Sequence, residues 1–523
     1  MSSNKKIALI TGGAGFIGSH LCGNLLDRDY KVICVDSFFS GKKENIQKYL
    51  DSPDFVLIKH NIIEPLKLNL ERLDEIYNLA CPASPMQYQF DPILTLKTSV
   101  NGILNMLDLA RKYSARVLHT STSEVYGDPL EHPQKESYFG NVDPLGKRAC
   151  YDEGKRAAEA LCKDYNLQFG VDVRIVRLFN VYGPKMMFND GRVMSNFILQ
   201  GLLGDDITVH GDGQQSRSFM YISDLLLAFE KLMALEPDKI GIGPVNIGNP
   251  DERTMLSLAE DIHGLTDKIS KLEMISYDKI PERLGDPQQR KPDISKAKKL
   301  LGWEPKVTYT DGLKKTIEDF KSRLDNKSKI VIFSPAFLPV EGPAERSTKE
   351  IVKRMVSYDF DIITARFKPE LPKYEQIGRM NIYRIGRGNK FDKYLLAFLG
   401  PFKARKLHKQ NDYQVAWSVM ASYGAIAAIL FSMLTRVAVL VSMFEGKIDN
   451  KTNIKKKIIS PAYRFIFKRA HKIQIVADLS QEQQAWLEDE KVIAPIDMDK
   501  GWDYVMKKTR EEFQQLEILS SRL

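Results

Sequence analysis

The sequence predicts an α/β protein built from two units, the first of them a doubly wound parallel sheet that carries a smaller domain. Up to Leu178, short β-branched runs alternate with longer stretches in which apolar residues recur at helical spacing. A polar stretch at residues 321–328 then precedes a new hydrophobic strand at Lys329–Ser334. The 523 residues also exceed what one ordinary core can organise, so more than one domain is expected.

The first unit is predicted to alternate six strands with three helices. The strands are Lys6–Thr11, Lys31–Asp36, Phe55–Lys59, Glu75–Ala80, Arg116–Thr120 and Asp172–Leu178. The helices are Phe16–Leu26, Pro92–Tyr113 and Tyr151–Phe169. The predicted domains are a core at residues 1–182, a smaller lid part at 183–324, a linker at 325–328, a second Rossmann-like α/β unit at 329–500 and a helical tail at 501–523.

Composition narrows the class of protein. The 76 Lys and Arg residues against 67 Asp and Glu give a net charge of +9, which suits anionic small molecules or a membrane surface and predicts no nucleic-acid partner. All five cysteines lie between Cys22 and Cys162 without a C-x-x-C pair, so no metal site is expected. Reduced thiols and the absence of a signal-peptide pattern before the first strand predict a cytoplasmic protein.

A glycine-rich turn follows the first predicted strand. TGGAGFIGSH places Gly12, Gly15 and Gly18 between a strand and a helix, where the missing side chains let a pyrophosphate approach the helix N-terminus. Asp36 closes the next strand, where a carboxylate accepts hydrogen bonds from a ribose diol and repels a 2′-phosphate. The pattern predicts a dinucleotide site that prefers NAD over NADP. A glycine turn needed only for packing is the alternative.

Two side chains suited to acid–base chemistry lie on the third predicted helix. Tyr151 and Lys155 are four residues apart, so both project from one face. A lysine ammonium and a nicotinamide cation near a phenol both favour the phenolate, which makes the tyrosine a usable base. Thr122, Ser123 and Glu124 follow a predicted strand, at the sheet edge where substrates bind in doubly wound folds. An exposed pair on a helix surface is the alternative for Tyr151 and Lys155.

Several separated motifs resemble one protein family. TGGAGFIGSH, STSEVYGD and YDEGK are similar to the extended short-chain dehydrogenases/reductases that act on nucleotide sugars. Within that group, LKTSVNGILNMLDLA, RACYDEGKRAAEA, NDGRVMSNFILQ, QQSRSF and QQRKPDISKAKKLLGWEP resemble the UDP-glucuronate decarboxylases (UDP-xylose synthases), from about Lys5 to Phe320. The resemblance implies NAD as cofactor, UDP-glucuronate as substrate, and a homodimer formed through the helices Pro92–Tyr113 and Tyr151–Phe169.

The resemblance also assigns roles to residues. The cofactor residues it implies are Gly12, Gly15, Phe16, Ile17, Gly18, Asp36, Phe38, Ser40, Gly41, Asn61, Ile62, Leu79, Tyr151 and Lys155. The catalytic residues it implies are Thr122, Ser123, Glu124, Tyr151, Lys155 and Arg290. The substrate residues it implies are Lys97, Asn105, Asn180, Arg192, Arg217 and Arg290. Arg192 and Arg217 are implied to clamp the diphosphate, although as lone basic residues they would more often be solvated surface. Arg290 is implied to contact the sugar carboxylate, and a surface helix-cap contact with Asp293 is the alternative.

The family chemistry starts when the tyrosinate takes the C4 hydroxyl proton and NAD accepts the C4 hydride, giving a 4-ketosugar. With a C6 carboxylate this ketosugar is a β-keto acid, which loses carbon dioxide once its enolate is stabilised. Ser123 stands where related 4,6-dehydratases carry aspartate, and Glu124 stands where 4-epimerases are usually not acidic. Another NAD-dependent nucleotide-sugar epimerase or dehydratase, or a nucleotide-sugar-binding scaffold, is the alternative. Arg290 and Glu124 are expected to matter most after oxidation.

The second unit resembles a different class of protein. KIVIFSPAFLPVEGPAERSTKEIVKRM is similar to the opening of the acceptor-side half of GT-B glycosyltransferases, with Pro343 in place of a loop glycine. Only Lys500–Leu523 follows the segment VIAPIDMD, so the donor-binding half is expected to be missing. The resemblance implies a truncated fusion, a split transferase completed by a second glycosyltransferase chain, or a noncatalytic acceptor-binding or docking module.

Two stretches of the second unit bear on membrane contact. Ala425–Phe444 is long and apolar but is interrupted at Thr435 and Arg436, so a buried helix followed by a buried parallel strand is expected. Basic residues could instead bring the unit to an anionic membrane as a peripheral partner, with a solvated helix face as the alternative. These residues are Lys455–Lys457, Arg464, Lys468 and Arg469.

Overall fold

The computed structural model describes residues 5–188, 190–241, 243–266, 270–277, 288–340, 342–378, 380–444, 465–466, 468–476, 492–496 and 502–520. The chain forms two compact units, Met1–Ser322 and Arg323–Leu523. The division falls inside one helix, Tyr309–Asp325, and the next strand begins at Ser328. The predicted linker at 325–328 therefore includes the last residue of that helix and the first of that strand.

The first unit holds thirteen described strands and ten described helices. The strands are β1 (Ile7–Thr11), β2 (Lys31–Asp36), β3 (Phe55–Lys59), β4 (Glu75–Asn78), β5 (Arg116–Thr122), β6 (Val173–Leu178), β7 (Asn180–Tyr182), β8 (Ile207–His210), β9 (Ser216–Tyr221), β10 (Val245–Ile247), β11 (Glu252–Thr254), β12 (Leu272–Ile275) and β13 (Gln289–Arg290). The helices are α1 (Phe16–Asp27), α2 (Pro85–Phe90), α3 (Pro92–Tyr113), α4 (Ala149–Phe169), α5 (Val193–Leu203), α6 (Ile222–Ala234), α7 (Pro237–Ile240), α8 (Met255–Leu265), α9 (Ser295–Leu301) and α10 (Tyr309–Asp325). Two 3₁₀ segments are Lys43–Tyr49 and Ser123–Tyr126.

The main sheet of this unit is doubly wound, as predicted. Its seven strands are parallel and run in the order β10-β6-β5-β4-β1-β2-β3. The chain reverses its direction of winding between β1 and β4, and ligands of such sheets bind outside the carboxyl ends of the strands at that point. The glycine turn after β1 and the Thr122 segment after β5 therefore meet at the same edge.

Strand β5 is longer than its β-branched pattern predicts. The pairing with β6 continues through Ser121 opposite Arg177 and Thr122 opposite Leu178, beyond the predicted end at Thr120. The pairing of β4 with β5 ends earlier, at Asn78 opposite His119, so these two residues have a strand partner on the β6 side only. The Thr122 side chain then accepts a hydrogen bond from the Glu124 amide at 3.2 Å and opens the 3₁₀ turn Ser123–Tyr126.

The smaller part does not form a wholly separate lid. Strand β10 returns to the main sheet beside β6, whereas β7 leaves it and pairs with β9. A second sheet, in the order β11-β9-β13, and a two-stranded sheet of β8 and β12 complete this part. The predicted division at residue 182 thus marks where the chain crosses between sheets.

The residues at which helix α3 begins and ends are determined by its local sequence. The Asp91 carboxylate accepts the Leu94 amide at 2.9 Å, and Pro92 occupies the first helical turn, where its missing N–H costs nothing. Ser114 ends the helix in the left-handed region at φ 54°. The helix therefore has the predicted bounds.

The second unit is another doubly wound sheet, which confirms the predicted fold class. Its strands are β14 (Ser328–Phe333), β15 (Tyr358–Ala365), β16 (Tyr374–Ile377), β17 (Met380–Ile385), β18 (Tyr413–Val419), β19 (Ala438–Phe444), β20 (Lys472–Val476) and β21 (Val492–Ile496). Its described helices are α11 (Pro343–Arg354), α12 (Asp392–Asn411), α13 (Tyr423–Thr435) and α14 (Trp502–Ser520). The strand order is β16-β17-β15-β14-β18-β19-β20-β21, and only the edge strand β16 is antiparallel.

Two core layers cover the faces of this sheet. Ile330 and Ile332 point into one layer, and Val331 and Phe333 point into the other. The predicted C-terminal tail belongs to the core, because Phe513 of α14 packs against Trp417 with ring centroids 5.3 Å apart. The apolar stretch Ala425–Phe444 is the buried helix and parallel strand that its interruption predicts.

None of the helices in the described part of the chain is long and apolar enough to cross a membrane. The predicted basic residues Lys455–Lys457 and Arg464 lie outside the described residues. Lys468 and Arg469 are exposed.

Candidate active site

A cavity of about 420 Å³ opens at the carboxyl edge of the main sheet, where the winding reverses. It brings together nineteen of the twenty-three site residues that the sequence predicts. They are Gly12, Gly15, Phe16, Ile17, Gly18, Asp36, Ser40, Gly41, Asn61, Ile62, Leu79, Thr122, Ser123, Glu124, Tyr151, Lys155, Asn180, Arg192 and Arg217. The four that do not line it are Phe38, Lys97, Asn105 and Arg290.

The glycine turn fits a dinucleotide because larger residues cannot occupy it. Gly12 has φ +68°, and a Cβ added there would lie 3.0 Å from Ala80 Cα. A Cβ on Gly18 would lie 2.2 Å from the Gly12 carbonyl oxygen, so the helix could not approach the strand. Gly15 immediately precedes α1, whose first residues line the cavity. The amides of a helix N-terminus are thus available to an anion such as a pyrophosphate.

Asp36 at the end of β2 is held by the backbone. Its carboxylate oxygens accept the amides of Ala14 at 2.9 Å and Phe38 at 2.7 Å. Burial raises the pKa of Asp36, whereas these two backbone donors lower it. A Cβ on Gly41 would lie 2.7 Å from the carboxylate, so the loop needs glycine to pass this close. The geometry leaves a carboxylate at the cavity wall, as a ribose contact requires.

Three predicted binding residues support the cavity wall or face away from it. Phe38 contributes its amide to Asp36 while its neighbours on either side line the cavity. Asn105 donates its side-chain amide to the Ile62 carbonyl at 2.8 Å and so holds a lining residue in place. Lys97 is exposed, because Leu94 and Thr98 form the cavity-facing side of α3 and Lys97 lies about 100° around the helix from Thr98.

Tyr151 and Lys155 lie on one face of α4, as predicted, and both are buried. The Lys155 ammonium donates to the Thr120 carbonyl at 2.7 Å and lies 6.0 Å from the centroid of the Tyr151 ring. Tyr88 stacks on Tyr151 with ring centroids 5.1 Å apart. Burial raises the pKa of Tyr151 well above its ordinary value, while a hydrogen bond with Thr122 and the charge of Arg192 lower it. Burial also lowers the pKa of Lys155.

A charge cluster lies beside this pair and includes Arg290, the residue predicted to contact the sugar carboxylate. Glu124 is held between two guanidiniums, those of Arg148 and Arg290. The Arg290 side chain is only 2% exposed and donates a second hydrogen bond to the Gly127 carbonyl at 2.8 Å. Its guanidinium faces Glu124, and Arg290 is not among the residues that line the cavity. Arg148 does line that cavity.

Arg148 is a site residue that sequence reasoning missed. It lies three residues before Tyr151 and seven before Lys155, so the three share one helical face. Its side chain is 23% exposed and contacts Glu124 and, at 3.9 Å, Asp152. The spacing of residues 148, 151 and 155 indicates this shared face, whereas the family resemblance points to Arg290.

Asp152 completes the cluster as a buried carboxylate. Burial raises its pKa from 3.8 to about 6, against the opposing charges of Arg148 and Arg290. A folded-state pKa above the unfolded value means that stability is lost as pH rises from about 4 to about 6, where the unfolded state releases the Asp152 proton more readily than the folded state. At neutral pH and above, that loss is up to about 3 kcal/mol.

Asp152→Asn is therefore expected to raise the thermal unfolding midpoint relative to the parent at pH 8, and to raise it only about a third as much at pH 4.5, because there Asp152 is protonated in the folded state and largely ionised in the unfolded state. Differential scanning calorimetry at the two pH values measures this. The exposed Asp238→Asn is the matched control and should show no such pH dependence. An equal effect of Asp152→Asn at both pH values would contradict the raised pKa.

Further cationic side chains line the cavity. Arg192 donates to the Ala83 carbonyl at 3.2 Å, and Arg217 donates to the Ser216 carbonyl at 2.7 Å. Lys185, which the sequence did not single out, also lines the cavity; burial lowers its pKa to about 8. In the described part of the chain, no group of three or more His, Cys, Asp or Glu side chains could hold a metal ion.

Comparison with known proteins agrees with this geometry. Residues 9–316 match the family model described as GDP-mannose 4,6 dehydratase. UDP-glucuronic acid decarboxylase 1 of Arabidopsis thaliana is 52% identical over 321 residues, which cover 61% of this chain and 71% of the relative. UDP-glucuronic acid decarboxylase 6 of the same plant is 53% identical over 62% of this chain and 90% of its own length.

A solved structure gives the same result for the fold. A UDP-glucuronic acid 4-epimerase from Bacillus cereus, in complex with UDP-4-deoxy-4-fluoro-glucuronic acid and NAD, is 28% identical with a TM-score of 0.54, covering 60% of this chain and 99% of that one. All of these matches fall on the unit that holds the cavity. Through that unit, the chain belongs to the nucleotide-sugar family of the GDP-mannose 4,6 dehydratase model and, within it, to the UDP-glucuronic acid decarboxylases.

Proposed function

We propose that the first unit converts UDP-glucuronate to UDP-xylose and carbon dioxide, with NAD as a cofactor that is restored in every turnover. One observation carries the proposal: a single cavity joins a glycine turn suited to a dinucleotide, the buried Tyr151–Lys155 pair and the Arg148 guanidinium. The names of the Arabidopsis relatives support the same reaction.

The glycine turn and Asp36 would hold NAD. The pyrophosphate fits the N-terminus of α1 beside Gly12 and Gly15, and the adenosine ribose fits the Asp36 carboxylate. Asn61 and Leu79 line the adjoining wall. When bound, NAD takes up a hydride from sugar C4 and returns it at the end of the cycle.

Asp36→Ala is expected to narrow the preference for NAD over NADP by about tenfold to a hundredfold, because a 2′-phosphate would no longer meet a like charge. The readout is the ratio of the two dissociation constants from direct titration. This ratio is insensitive to a general loosening of the loop. Asp51→Ala, an exposed aspartate in the same region, should leave the ratio unchanged. A parent protein that preferred NADP would contradict the assignment.

Tyr151 accepts the C4 hydroxyl proton in the proposed first step. Its burial makes the phenolate costly, so the base must be stabilised by positive charge, and the Lys155 ammonium lies on the same helical face. The Thr120 carbonyl holds Lys155 in place. Thr122 hydrogen-bonds to Tyr151 and orients the phenol.

The proposed second step breaks the C5–C6 bond of the 4-ketosugar. The electron pair moves to the C4 oxygen, where Thr122 and Tyr151 can donate hydrogen bonds to the enolate. Arg148 is the guanidinium at the cavity that suits the departing carboxylate. Glu124 lines the same cavity and is assigned the positioning of the water molecule whose proton C5 takes up, leaving hydroxide to be neutralised by solvent. Arg290 is a positioning residue that holds Glu124. Ser123 lines the cavity and lacks the acid needed to expel a C6 hydroxyl.

The diphosphate and uridine of the substrate are assigned to the part of the cavity that is lined by Arg192, Arg217 and Asn180. Two guanidiniums suit a diphosphate, since each can donate paired hydrogen bonds to phosphate oxygens.

The nucleotide-sugar product distinguishes this reaction from its alternatives. The purified chain is incubated with UDP-glucuronate and NAD, and the nucleotide sugars are separated by anion-exchange chromatography and weighed by mass spectrometry. We expect a UDP-pentose. A product with the mass of the substrate would indicate an epimerase. A substrate that binds but is never converted would indicate a binding scaffold.

We further propose that two copies associate through α3 and α4. Both helices present apolar side chains to solvent, with Ile93 69%, Leu96 42% and Leu167 62% exposed. Exposed apolar residues on adjacent helices are typical of a surface that a partner covers. A homodimer is therefore the proposed assembly of the first unit.

For the second unit we propose a glycosyltransferase-like module that binds an acceptor or a partner protein. A second glycosyltransferase chain is one such partner. Its doubly wound sheet and the turn before α11 support that class. The Glu345 carboxylate accepts a hydrogen bond from the Gly342 amide at 2.9 Å, so this amide is already occupied by a contact within the turn. Pro343 removes a donor from the position where a phosphate-binding loop would offer one. A noncatalytic role is the one these contacts favour.

A further inference from the structure

Helix α12 of the second unit exposes an unusual set of large apolar side chains. Phe391, Leu395, Phe398, Leu399 and Phe402 are 74%, 39%, 68%, 48% and 62% exposed. Their spacing places them along one side of the helix, which we call the α12 face. Soluble proteins rarely leave several large apolar residues contiguous and uncovered, so this face marks an interaction surface.

The opposite side of α12 already has its packing partners. Leu396 and Ala404 are fully buried, and Leu407 is 8% exposed, in the core layer shared with α13 and the sheet. The helix is thus fixed to the unit on one side and presents the α12 face on the other. The exposed residues contribute nothing to the core, and their exposure is not a consequence of loose packing.

Positive charge continues the α12 face toward the C-terminal end of the helix. Of the five basic residues of α12, Arg405, Lys406 and Lys409 are exposed and follow Phe402 on the same side. The other two, Lys403 and Lys393, are half-buried, and Lys403 lies over the Tyr383 ring. Its one acidic residue, Asp392, is fully buried and accepts the Gly388 amide at 2.6 Å. Within the described residues, none of the five cations forms an ion pair with a carboxylate. The surface therefore combines protruding phenylalanines with uncompensated positive charge.

We propose that the α12 face docks the second unit onto an anionic lipid bilayer. Phenylalanine and leucine side chains enter the boundary between headgroups and acyl chains, and lysine and arginine meet the lipid phosphates. A second copy of the chain is a poor occupant, because two such faces would bring six exposed cations together. The face is a convex helix with protruding rings, which a fluid bilayer accommodates and a protein could cover only with a matching groove.

Flotation of the full-length chain with lipid vesicles tests the proposal. We expect recovery with vesicles containing about one-third phosphatidylglycerol and little with pure phosphatidylcholine, since anionic lipid supplies the attraction. Raising the salt concentration should release the protein, because exposed charges are screened. Equal recovery with neutral and anionic vesicles would overturn the proposal.

Two sets of substitutions separate the apolar and the charged contributions. Phe398→Ser with Phe402→Ser is expected to lower the vesicle partition coefficient at least about tenfold. Arg405→Gln, Lys406→Gln and Lys409→Gln together should lower it about a hundredfold. Matched controls in the first unit are Leu130→Ser with Phe139→Ser, and Lys239→Gln, Lys314→Gln with Lys321→Gln, all of them exposed residues. The controls should bind vesicles like the parent.

Further measurements keep the test decisive. The variants count as folded when their circular dichroism spectra and thermal midpoints match those of the parent. If Phe398→Ser with Phe402→Ser fails this criterion, the more conservative Phe402→Leu replaces it. Its expected loss is about threefold. Light scattering reports the mass in solution. If the serine pair changed the mass of the assembly and left vesicle binding intact, the α12 face would be an interface between copies and the bilayer proposal would be wrong.

Discussion

Tyr151→Phe is expected to lower the turnover of UDP-glucuronate by about a hundredfold to ten-thousandfold, the usual cost of removing a positioned acid–base group. The ring remains stacked on Tyr88, so the cavity keeps its shape while the hydroxyl that hydrogen-bonds to Thr122 is lost. Substrate affinity should change by no more than about threefold, since the phenol is assigned a role in the reaction and little in binding. Single-turnover NADH absorbance and titration of the substrate measure the two effects.

The control for this variant is another buried tyrosine that loses its hydroxyl. Tyr126→Phe removes the hydrogen bond to Asn246 at 2.8 Å, outside the cavity, and should leave NADH formation near the parent level. Glu124→Gln and Arg290→Met should retain more NADH formation than Tyr151→Phe, because their roles follow oxidation. If both lost NADH formation as completely as Tyr151→Phe while binding substrate normally, the division of roles would be wrong.

Arg148→Met is expected to remove the discrimination between UDP-glucuronate and UDP-glucose. The two ligands differ at C6, where only the first is charged, and a hydrogen bond to a charged group contributes about 1.5–3 kcal/mol. The affinity ratio should therefore fall about tenfold to a hundredfold. Calorimetric titration of both ligands gives the ratio directly.

Arg290→Met is the comparison that separates the two guanidiniums. Arg290 contacts Glu124 and the Gly127 carbonyl and does not line the cavity, so its loss should slow turnover and leave the affinity ratio within about threefold. Arg148→Lys should recover part of the ratio, because it keeps the charge and loses the planar fork. A ratio that collapsed in Arg290→Met and survived in Arg148→Met would return the carboxylate contact to Arg290.

Local patterns were sufficient for much of the fold. The helix Pro92–Tyr113 has its predicted bounds because its cap residues act on neighbouring amides. The glycine turn was predictable because its strain is local to Gly12 and Gly18. The return of β10 to the main sheet was not predictable, since a three-residue strand leaves little periodicity and its pairing depends on distant residues.

The site divides in the same way. The shared face of Tyr151 and Lys155 follows from helical spacing. The same helical periodicity also predicts that Lys97 faces solvent when Thr98 faces the cavity. Which of Arg148 and Arg290 lines the cavity could not be predicted from helical spacing, because it depends on which guanidinium lies deeper beside Glu124. That depth is set by the pairing of β13 with β9, between segments about seventy residues apart in the chain. Long-range register of this kind leaves no signal in one sequence.

The proposed reaction is tested most directly with UDP-glucuronate labelled with ¹³C at C6. The purified chain receives a large excess of this substrate over NAD, and labelled carbon dioxide, UDP-xylose and net NADH are measured together. We expect one labelled carbon dioxide for each UDP-xylose, with many turnovers per NAD and no NADH accumulating at the end. A labelled carbon that stayed in the nucleotide-sugar product, or carbon dioxide released only in proportion to NADH, would contradict decarboxylation with a restored cofactor.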